Sequence, residues 1–226
     1  MKINNEITWS EAIRLSIIES GYIASLKQIY EIALKKKNFE GLTPHRTINE
    51  RVQRDKQFYK IKPGLYGLTD FLDKLPNEYN PNVKKTKEED NIINHSYIQG
   101  LLIEIGNING FSTFTPDKNQ TFLSKKLGDL ATKNEIPHFT FDNILQSSKY
   151  IDVIWFNERN FPNSVFEIEN STNFRNSLVK FVELQDFNLT MTLIAPNDES
   201  KYKKYQQEIE KSAFASIRNR VKFFNY

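Results

Sequence analysis

The chain has 226 residues, of which 38% are apolar and 13% aromatic, enough to build one large packed domain or two small ones. It contains no cysteine, which excludes disulfide frameworks, thiolate metal sites and cysteine nucleophiles. The net charge of +3 is unevenly divided, because residues 1–87 hold 16 Lys and Arg against 10 Asp and Glu, whereas residues 88–226 hold 15 against 18. This division suggests a basic part that binds a polyanion and an acidic part that binds cations.

The first seventy residues are predicted to form a small helical domain that ends in a hairpin. Three helical stretches precede two short β-prone runs, at residues 10–20, 25–37, 43–55, 58–62 and 65–68. Ser25 and Gln28 have the pattern of a capping box, and Pro63-Gly64 marks the turn of the hairpin. Three helices followed by a hairpin are typical of a winged helix, which we predict for residues 1–70.

The third helix is mostly polar, with Ile48 and Val52 as its apolar anchors. A helix with so narrow an apolar face is suited to presentation to a ligand. Arginine can bond guanine bidentately and asparagine adenine, whereas a lysine on a wing usually meets phosphate. The residues predicted to contact DNA are Arg46, Asn49, Arg51 and Arg54 on the helix and Lys60 and Lys62 on the wing. For each residue alone, an ordinary solvated position is the alternative.

Residues 71–90 have few apolar anchors and end in a charged run, and we predict a linker there. Residues 91–226 are predicted to form a second domain. Its elements are helices at 91–108, 125–130, 175–186 and 199–212 and strands at 111–115, 150–156, 165–169, 189–195 and 221–224, with Gly106 and Gly110 interrupting the apolar stripe of the first helix. This order predicts an α/β fold, α+β for the whole chain, with a mixed central sheet flanked by helices.

Acidic residues interrupt two adjacent apolar strands of this predicted sheet. Asp152 lies in one strand, and Glu167 and Glu169 lie in the next, on the same face because side chains alternate along a strand. Charge is costly to bury unless it is paired or binds a cation, so the three carboxylates predict a divalent metal site. The alternative is a set of strand-end carboxylates that meet solvent.

Three motifs of residues 88–226 resemble a PD-(D/E)XK endonuclease domain of restriction-enzyme type. They are His95-x-x-x-Gln99 with Glu104-Ile105-Gly106, Ile151-Asp152-Val153-Ile154-Trp155, and Phe166-Glu167-Ile168-Glu169-Asn170. The resemblance implies a Mg²⁺ site at Asp152, Glu167 and Glu169, with Glu104 as a further catalytic residue. Glu169 stands where the family usually has lysine, so it is predicted to act as a base or a second metal ligand. Lys180 is the alternative, although a solvated helix charge is the favoured interpretation of that residue.

The run from Phe58 to Leu68, following Trp9-Ser10-Glu11-Ala12-Ile13, resembles a HARE-type helix-turn-helix domain over about residues 5–70. The two resemblances together imply a type II restriction endonuclease that binds and cleaves double-stranded DNA, in a system with a cognate DNA methyltransferase. A homodimer, or sequential nicking by a monomer, would cut both strands. One alternative is a non-catalytic winged-helix protein with a degenerate nuclease domain, and another is an enzyme that processes RNA or structure-specific DNA. The sequence has neither a leader pattern nor a membrane-spanning stretch, so we expect a cytoplasmic protein without membrane partners.

Overall fold

Residues 7–38, 43–123 and 125–226 are described by the computed structural model, and the chain divides into two units, Met1–Lys85 and Thr86–Tyr226. The first unit contains α1 (Trp9–Glu19), β1 (Ile23–Ser25), α2 (Leu26–Lys36), α3 (Pro44–Arg54), β2 (Phe58–Lys62) and β3 (Leu65–Leu68). Its strands form an antiparallel sheet in the order β1-β3-β2. The predicted hairpin is confirmed, with Gly64 at the turn in the left-handed region at φ 72°.

The core of the first unit lies between its three helices and the sheet. Ile13 of α1, Ile29 of α2, and Ile48 and Val52 of α3 pack together and are at most 2% exposed. The predicted capping box at the start of α2 is confirmed, because Ser25 and Gln28 each accept a hydrogen bond from the backbone N–H of the other. These helices therefore bury the narrow apolar stripes that the sequence shows.

The segment that follows β3 packs more tightly than its composition indicates. A 3₁₀ helix spans Thr69–Lys74, and Leu75, Tyr79 and Asn80 are buried. The segment has few apolar anchors, yet Leu75 and Tyr79 are buried and the segment belongs to the first unit. The next helix begins at Lys87 instead of residue 91.

The second unit is built on a five-stranded mixed sheet. Its helices are α4 (Lys87–Ile108), α5 (Leu127–Leu130), α6 (Asp142–Ser148), α7 (Phe174–Val182) and α8 (Glu199–Ile209), with a 3₁₀ helix at Ser212–Phe214. Its strands are β4 (Ser112–Phe114), β5 (Thr121–Phe122), β6 (Lys125–Lys126), β7 (Val153–Phe156), β8 (Pro162–Ile168), β9 (Thr190–Ala195) and β10 (Val221–Asn225). The sheet order is β10-β9-β8-β7-β4, while β5 and β6 form a separate ribbon.

Strand direction changes across this sheet. β8, β9 and β10 are parallel, whereas β7 pairs antiparallel with both β8 and β4. The predicted mixed sheet is thus confirmed. The core packs α7 and α8 on the sheet through buried residues such as Phe174, Leu178, Met191 and Tyr205.

Helix α4 approaches its neighbours at two glycines. A Cβ at Gly106 would lie 2.6 Å from the Trp155 indole nitrogen, and that indole N–H donates to the Leu102 carbonyl at 3.0 Å. A Cβ at Gly100 would lie 2.1 Å from the ring of Phe122. The predicted end of this helix at Ile108 is confirmed, and Gly106 within it permits close packing on β7.

Candidate active site

Strand pairing places two acidic residues opposite each other. In the antiparallel register Val153 faces Phe166, so Asp152 and Glu167 stand across from each other at the end of β7. The Asp152 N–H donates to Glu167 Oε1 at 3.2 Å, and the Ile168 N–H donates to Asp152 Oδ2 at 2.7 Å. Both residues are buried, Asp152 at 9% and Glu167 at 3% exposure. The register of these two neighbouring strands therefore brings Asp152 and Glu167 together as a buried acid pair.

A lysine of α7 contacts this acid pair. Lys180 Nζ donates to both carboxylate oxygens of Glu167, at 2.9 and 2.8 Å, and to the Tyr150 carbonyl at 2.6 Å. Its side chain is 27% exposed. The interpretation of Lys180 as a solvated helix charge is therefore wrong, because the packing of α7 on the sheet directs it into the site.

Helix α4 contributes polar side chains from the other side. His95 Nε2 lies 3.2 Å from Asp152 Oδ2. One turn later, Gln99 is fully buried and donates to Asp117 Oδ2 at 2.7 Å and to the Asp152 carbonyl at 3.4 Å. His95 and Gln99 belong to a motif visible in the sequence, whereas Asp117 lies in a loop and gives no periodic signal that could identify it.

These residues surround a cleft of about 500 Å³. Its lining includes Asn91, His95, Asp117, Gln120, Asp152, Glu167, Glu169, Asn170, Ser171, Asn176, Ser177 and Lys180. The structure thus places Asp152, Glu167 and Glu169 in the lining of one cleft. Glu104 is not part of its lining, since it lies nine residues beyond His95 on α4.

Glu169 occupies the first position after β8. Its N–H donates to the Ile194 carbonyl at 2.8 Å, and its Oε1 accepts the Ser171 N–H at 2.8 Å. The side chain is partly exposed, in contrast to Glu167. One carboxylate oxygen thus stabilises the turn that leads toward α7.

The carboxylates of Asp152 and Glu167 contact other groups of the same chain, and they do not form a preformed metal cage. Within the part of the chain that the structure describes, no group of three or more His, Asp or Glu side chains has a metal-binding arrangement. Both oxygens of Glu167 accept from Lys180, and Asp152 Oδ2 faces His95 and the Ile168 N–H. A cation that enters would replace some of these contacts.

The electrostatics of the site are dominated by the buried acid pair. Burial, and then the charge of Asp152, raise the pKa of Glu167 to about 8, although Lys180 opposes the shift. Burial alone would lower the pKa of His95, but its hydrogen bond to Asp152 and the charge of that residue outweigh burial and raise it. The cleft therefore favours additional positive charge, whether a proton or a metal ion supplies it.

The predicted DNA-contacting residues lie in the first unit. Arg46 and Arg51 are exposed on α3, whereas Arg54 forms an ion pair with Glu50 at 2.7 Å. Asn49 Oδ1 accepts from the Gln53 side chain at 3.0 Å. On the hairpin, Lys60 is exposed, while Lys62 is partly buried with its Nζ 5.8 Å from the centre of the Tyr79 ring. Helix α3 therefore presents arginines to solvent, and Lys62 of the hairpin lies closer to the protein surface than Lys60.

Comparisons with known proteins give the class to which this fold and cleft belong, that of type II restriction enzyme-like proteins. The family of the type II restriction enzyme NmeDI C-terminal domain matches residues 62–226, and the chain belongs to this family. The expected relationship to restriction enzymes is thus confirmed, whereas membership of the PD-(D/E)XK and HARE groups stays a prediction.

A relative in this class is the type II restriction enzyme NmeDI of Neisseria meningitidis serogroup C. It is 30% identical over an alignment of 117 residues, which covers 46% of this chain and 33% of the relative. The match therefore spans about a third of the relative's length. No solved structure matches the chain significantly. Among the described residues, no helix has the length and apolar character needed to cross a membrane.

Proposed function

We propose that this protein is a Mg²⁺-dependent, sequence-specific DNA endonuclease of type II restriction type that hydrolyses phosphodiester bonds of duplex DNA. The observation that carries the proposal is the convergence of Asp152, Glu167 and Lys180 in one cleft. Two carboxylates that can hold a divalent cation beside an ammonium group provide the charges needed for phosphodiester hydrolysis. Family membership independently supports DNA as the substrate.

The donor set of the cleft fits magnesium. Asp152, Glu167 and Glu169 offer carboxylate oxygens, which Mg²⁺ prefers, and two or three such groups suffice because the ion keeps several waters. Burial, and then the charge of Asp152, raise the pKa of Glu167 despite Lys180, so a cation bound beside the two carboxylates would stabilise their charged forms. A bound Mg²⁺ would lower the pKa of an attacking water and neutralise charge on the scissile phosphate.

We propose that Lys180 takes the role of the lysine that PD-(D/E)XK enzymes usually carry at the position of Glu169. Its ammonium is already at the carboxylate pair and can orient water or stabilise phosphate charge there. Glu169 is proposed as a base or further metal ligand at the rim. Glu104, which is not part of the cleft lining, is not assigned a role.

The first unit is proposed to be a winged helix that holds duplex DNA. The supporting observation is the order of three helices and a hairpin, with Arg46 and Arg51 exposed on α3 and Lys60 exposed on β2. Arginines on a helix suit the major groove, and lysines near it suit phosphates. Cutting both strands would require either a homodimer or two successive nicks, and a methyltransferase would protect the host's own sites.

The direct test is incubation of the purified chain with plasmid and phage DNA, with and without Mg²⁺. We expect discrete fragments with Mg²⁺ and intact DNA with a chelator. The matched control is Glu167→Gln, which keeps the shape of the side chain but removes its charge. Uncut DNA with every divalent ion, or equal cutting by the control, would refute the assignment.

A second candidate function is DNA binding without cleavage. It is favoured by the contacts of Glu167 and Asp152 with Lys180 and His95, and by the glutamate at position 169. The same experiment separates the two functions, because this candidate predicts a stable complex with DNA that persists uncut in Mg²⁺.

A further inference from the structure

The ribbon formed by β5 and β6 has no role in the reaction proposed above. Its strands pair through Thr121 with Lys126 and Phe122 with Lys125. The sequence from residue 118 to residue 128 contains three lysines and no acidic residue. We call strands β5 and β6, together with Lys118 that precedes them, the lysine ribbon. Its three lysines are exposed, and none forms an ion pair with any residue that the structure describes.

The lysine ribbon is fixed to helix α4 by an aromatic contact. Phe122 is 2% exposed, and its ring centre lies 5.3 Å from that of Tyr97. The ring rests on Gly100, where even a single Cβ would lie 2.1 Å from it. Because Gly100 directly follows Gln99, this contact holds the ribbon beside the residues of the cleft.

A second contact joins the base of the ribbon to the cleft. Asp117 accepts a hydrogen bond from Gln99 at 2.7 Å, and Asp117 and Gln120 line the cleft itself. The neighbouring Lys118 lines a separate cavity of about 550 Å³, together with Lys149. The Gly128 N–H donates to the Lys118 carbonyl at 3.0 Å, which closes the base of the ribbon. Asp117 and Gln120 thus line the cleft, and exposed lysines lie near them in the sequence at Lys118, Lys125 and Lys126.

We propose that the lysine ribbon binds the phosphate backbone of duplex DNA beside the bond to be cut. Lysine carries a compact positive charge that suits phosphate, and ammonium groups without acidic partners are available for it. The ribbon is held on α4 at two points, so little ordering is required when DNA binds. This inference rests on the proposed function of the cleft, and it names a substrate contact that the acid pair cannot supply.

The test compares two double variants of the full chain in binding to a duplex of about 30 base pairs, measured by fluorescence anisotropy in a chelator over a salt series. Lys125→Ala with Lys126→Ala removes two charges from the ribbon. Lys204→Ala with Lys222→Ala removes two exposed charges elsewhere in the same unit, on α8 and on the edge strand β10. We expect the ribbon variant to bind on the order of tenfold more weakly near 0.1 M salt, because fewer counterions are released. The slope of log binding constant against log salt concentration should decrease in magnitude by about one for each lysine removed. The control variant should keep the affinity and slope of wild type.

Further outcomes separate the ribbon from the nuclease. If wild type cleaves DNA but the ribbon variant binds with unchanged affinity and slope, the ribbon proposal is overturned while the cleft proposal stands. If the ribbon variant loses affinity but wild type never cleaves, the ribbon proposal stands and the nuclease proposal fails. Equal loss in the control, or loss confined to duplex RNA, also overturns the ribbon proposal, as does a wild type that binds no DNA. Replacing Lys125 and Lys126 by arginine must preserve the wild-type slope.

Discussion

Lys180 and Glu167 meet through two hydrogen bonds of 2.9 and 2.8 Å, although one residue belongs to α7 and the other to β8. The resembling family usually carries its lysine two positions after the strand carboxylate, where this chain has Glu169. Here the ammonium arrives from the helix that follows the sheet strand. A lysine ammonium can therefore reach the carboxylates of the cleft from a helix, α7, instead of from the strand that carries Glu167.

The first prediction concerns Lys180. Replacing it by alanine should lower the single-turnover cleavage rate with Mg²⁺ by about 10²-fold or more, because in the proposed site its ammonium orients water or stabilises charge on the scissile phosphate. Lys204→Ala, an exposed lysine on α8, is the control and should cleave normally. Full activity of the alanine variant would show that Lys180 only balances the charge of Glu167.

The second prediction concerns the acid pair. Asp152→Asn and Glu167→Gln should each reduce cleavage by about 10³-fold or more, since several kcal/mol of metal-dependent charge stabilisation are lost. DNA affinity in a chelator should change by less than about threefold, because the variants leave every basic residue in place. Rapid cleavage by either variant would exclude that residue as a metal ligand.

The third prediction is a pH dependence of stability. The pKa of Glu167 is about 8 in the folded protein, above the usual 4.5, so folding takes up a proton between these values. The free energy of unfolding of the metal-free protein should fall as pH rises through this window, by at most about 1.4 kcal/mol per pH unit for this one group.

Denaturant unfolding at pH 6 and pH 9 measures this effect, with Glu167→Gln as the reference that lacks the titrating group. The free energy of unfolding of wild type, relative to that of Glu167→Gln, should be larger at pH 6 than at pH 9. Mg²⁺ should stabilise wild type more at pH 9, where the carboxylate needs no proton removed. A pH-independent difference would mean that Glu167 is ionised throughout.

The fourth prediction concerns Glu169. Glu169→Gln can still accept the Ser171 N–H, so it removes charge while keeping the turn. We expect cleavage to fall by about 10²-fold, as for the loss of a base or metal ligand. Glu169→Lys should also be severely impaired, because a second ammonium would repel a cation held by Asp152 and Glu167. Robust cleavage by the lysine variant would leave Lys180 as the group that activates water.

The fifth prediction tests the first unit within the full chain. Arg46→Ala and Asn49→Ala should each weaken binding to a site selected from a randomised duplex library by about 1–3 kcal/mol, with little loss on scrambled DNA. Lys60→Ala should weaken binding to both DNAs equally, as expected for a phosphate contact. Equal losses for all three variants would assign Arg46 and Asn49 to the backbone as well.

The long periodic segments of this chain are predictable from sequence, as are the short β4 and α5, but several other short elements are not. The apolar alternation of residues 150–169 predicts β7 and β8, and the stripe on α4 predicts that helix. The three-residue β1, the two-residue strands β5 and β6, and the seven-residue α6 are too short to show a period. The close packing of Gly106 against Trp155 is a tertiary contact that the local sequence does not reveal.

The candidate site shows the same division. Asp152 and Glu167 were predictable because adjacent strands fix their faces. The approach of Lys180 depends on how α7 crosses the sheet, and the positions of His95 and Asp117 depend on how α4 and a loop pack beside Asp152. Such packing geometry is a tertiary property, so charge patterns along the chain do not reveal it.

The antiparallel pairing of β7 with β8 has a consequence for the order of folding. The hairpin closes a connection of only five residues, between Phe156 and Pro162, whereas the parallel pairing of β8 with β9 must wait for α7 to cross over. Local contacts form faster than distant ones, because less chain entropy is lost in closing them. Asp152 and Glu167 are therefore expected to meet while the nascent sheet is still open to water, and Lys180 to join them as the crossover helix docks.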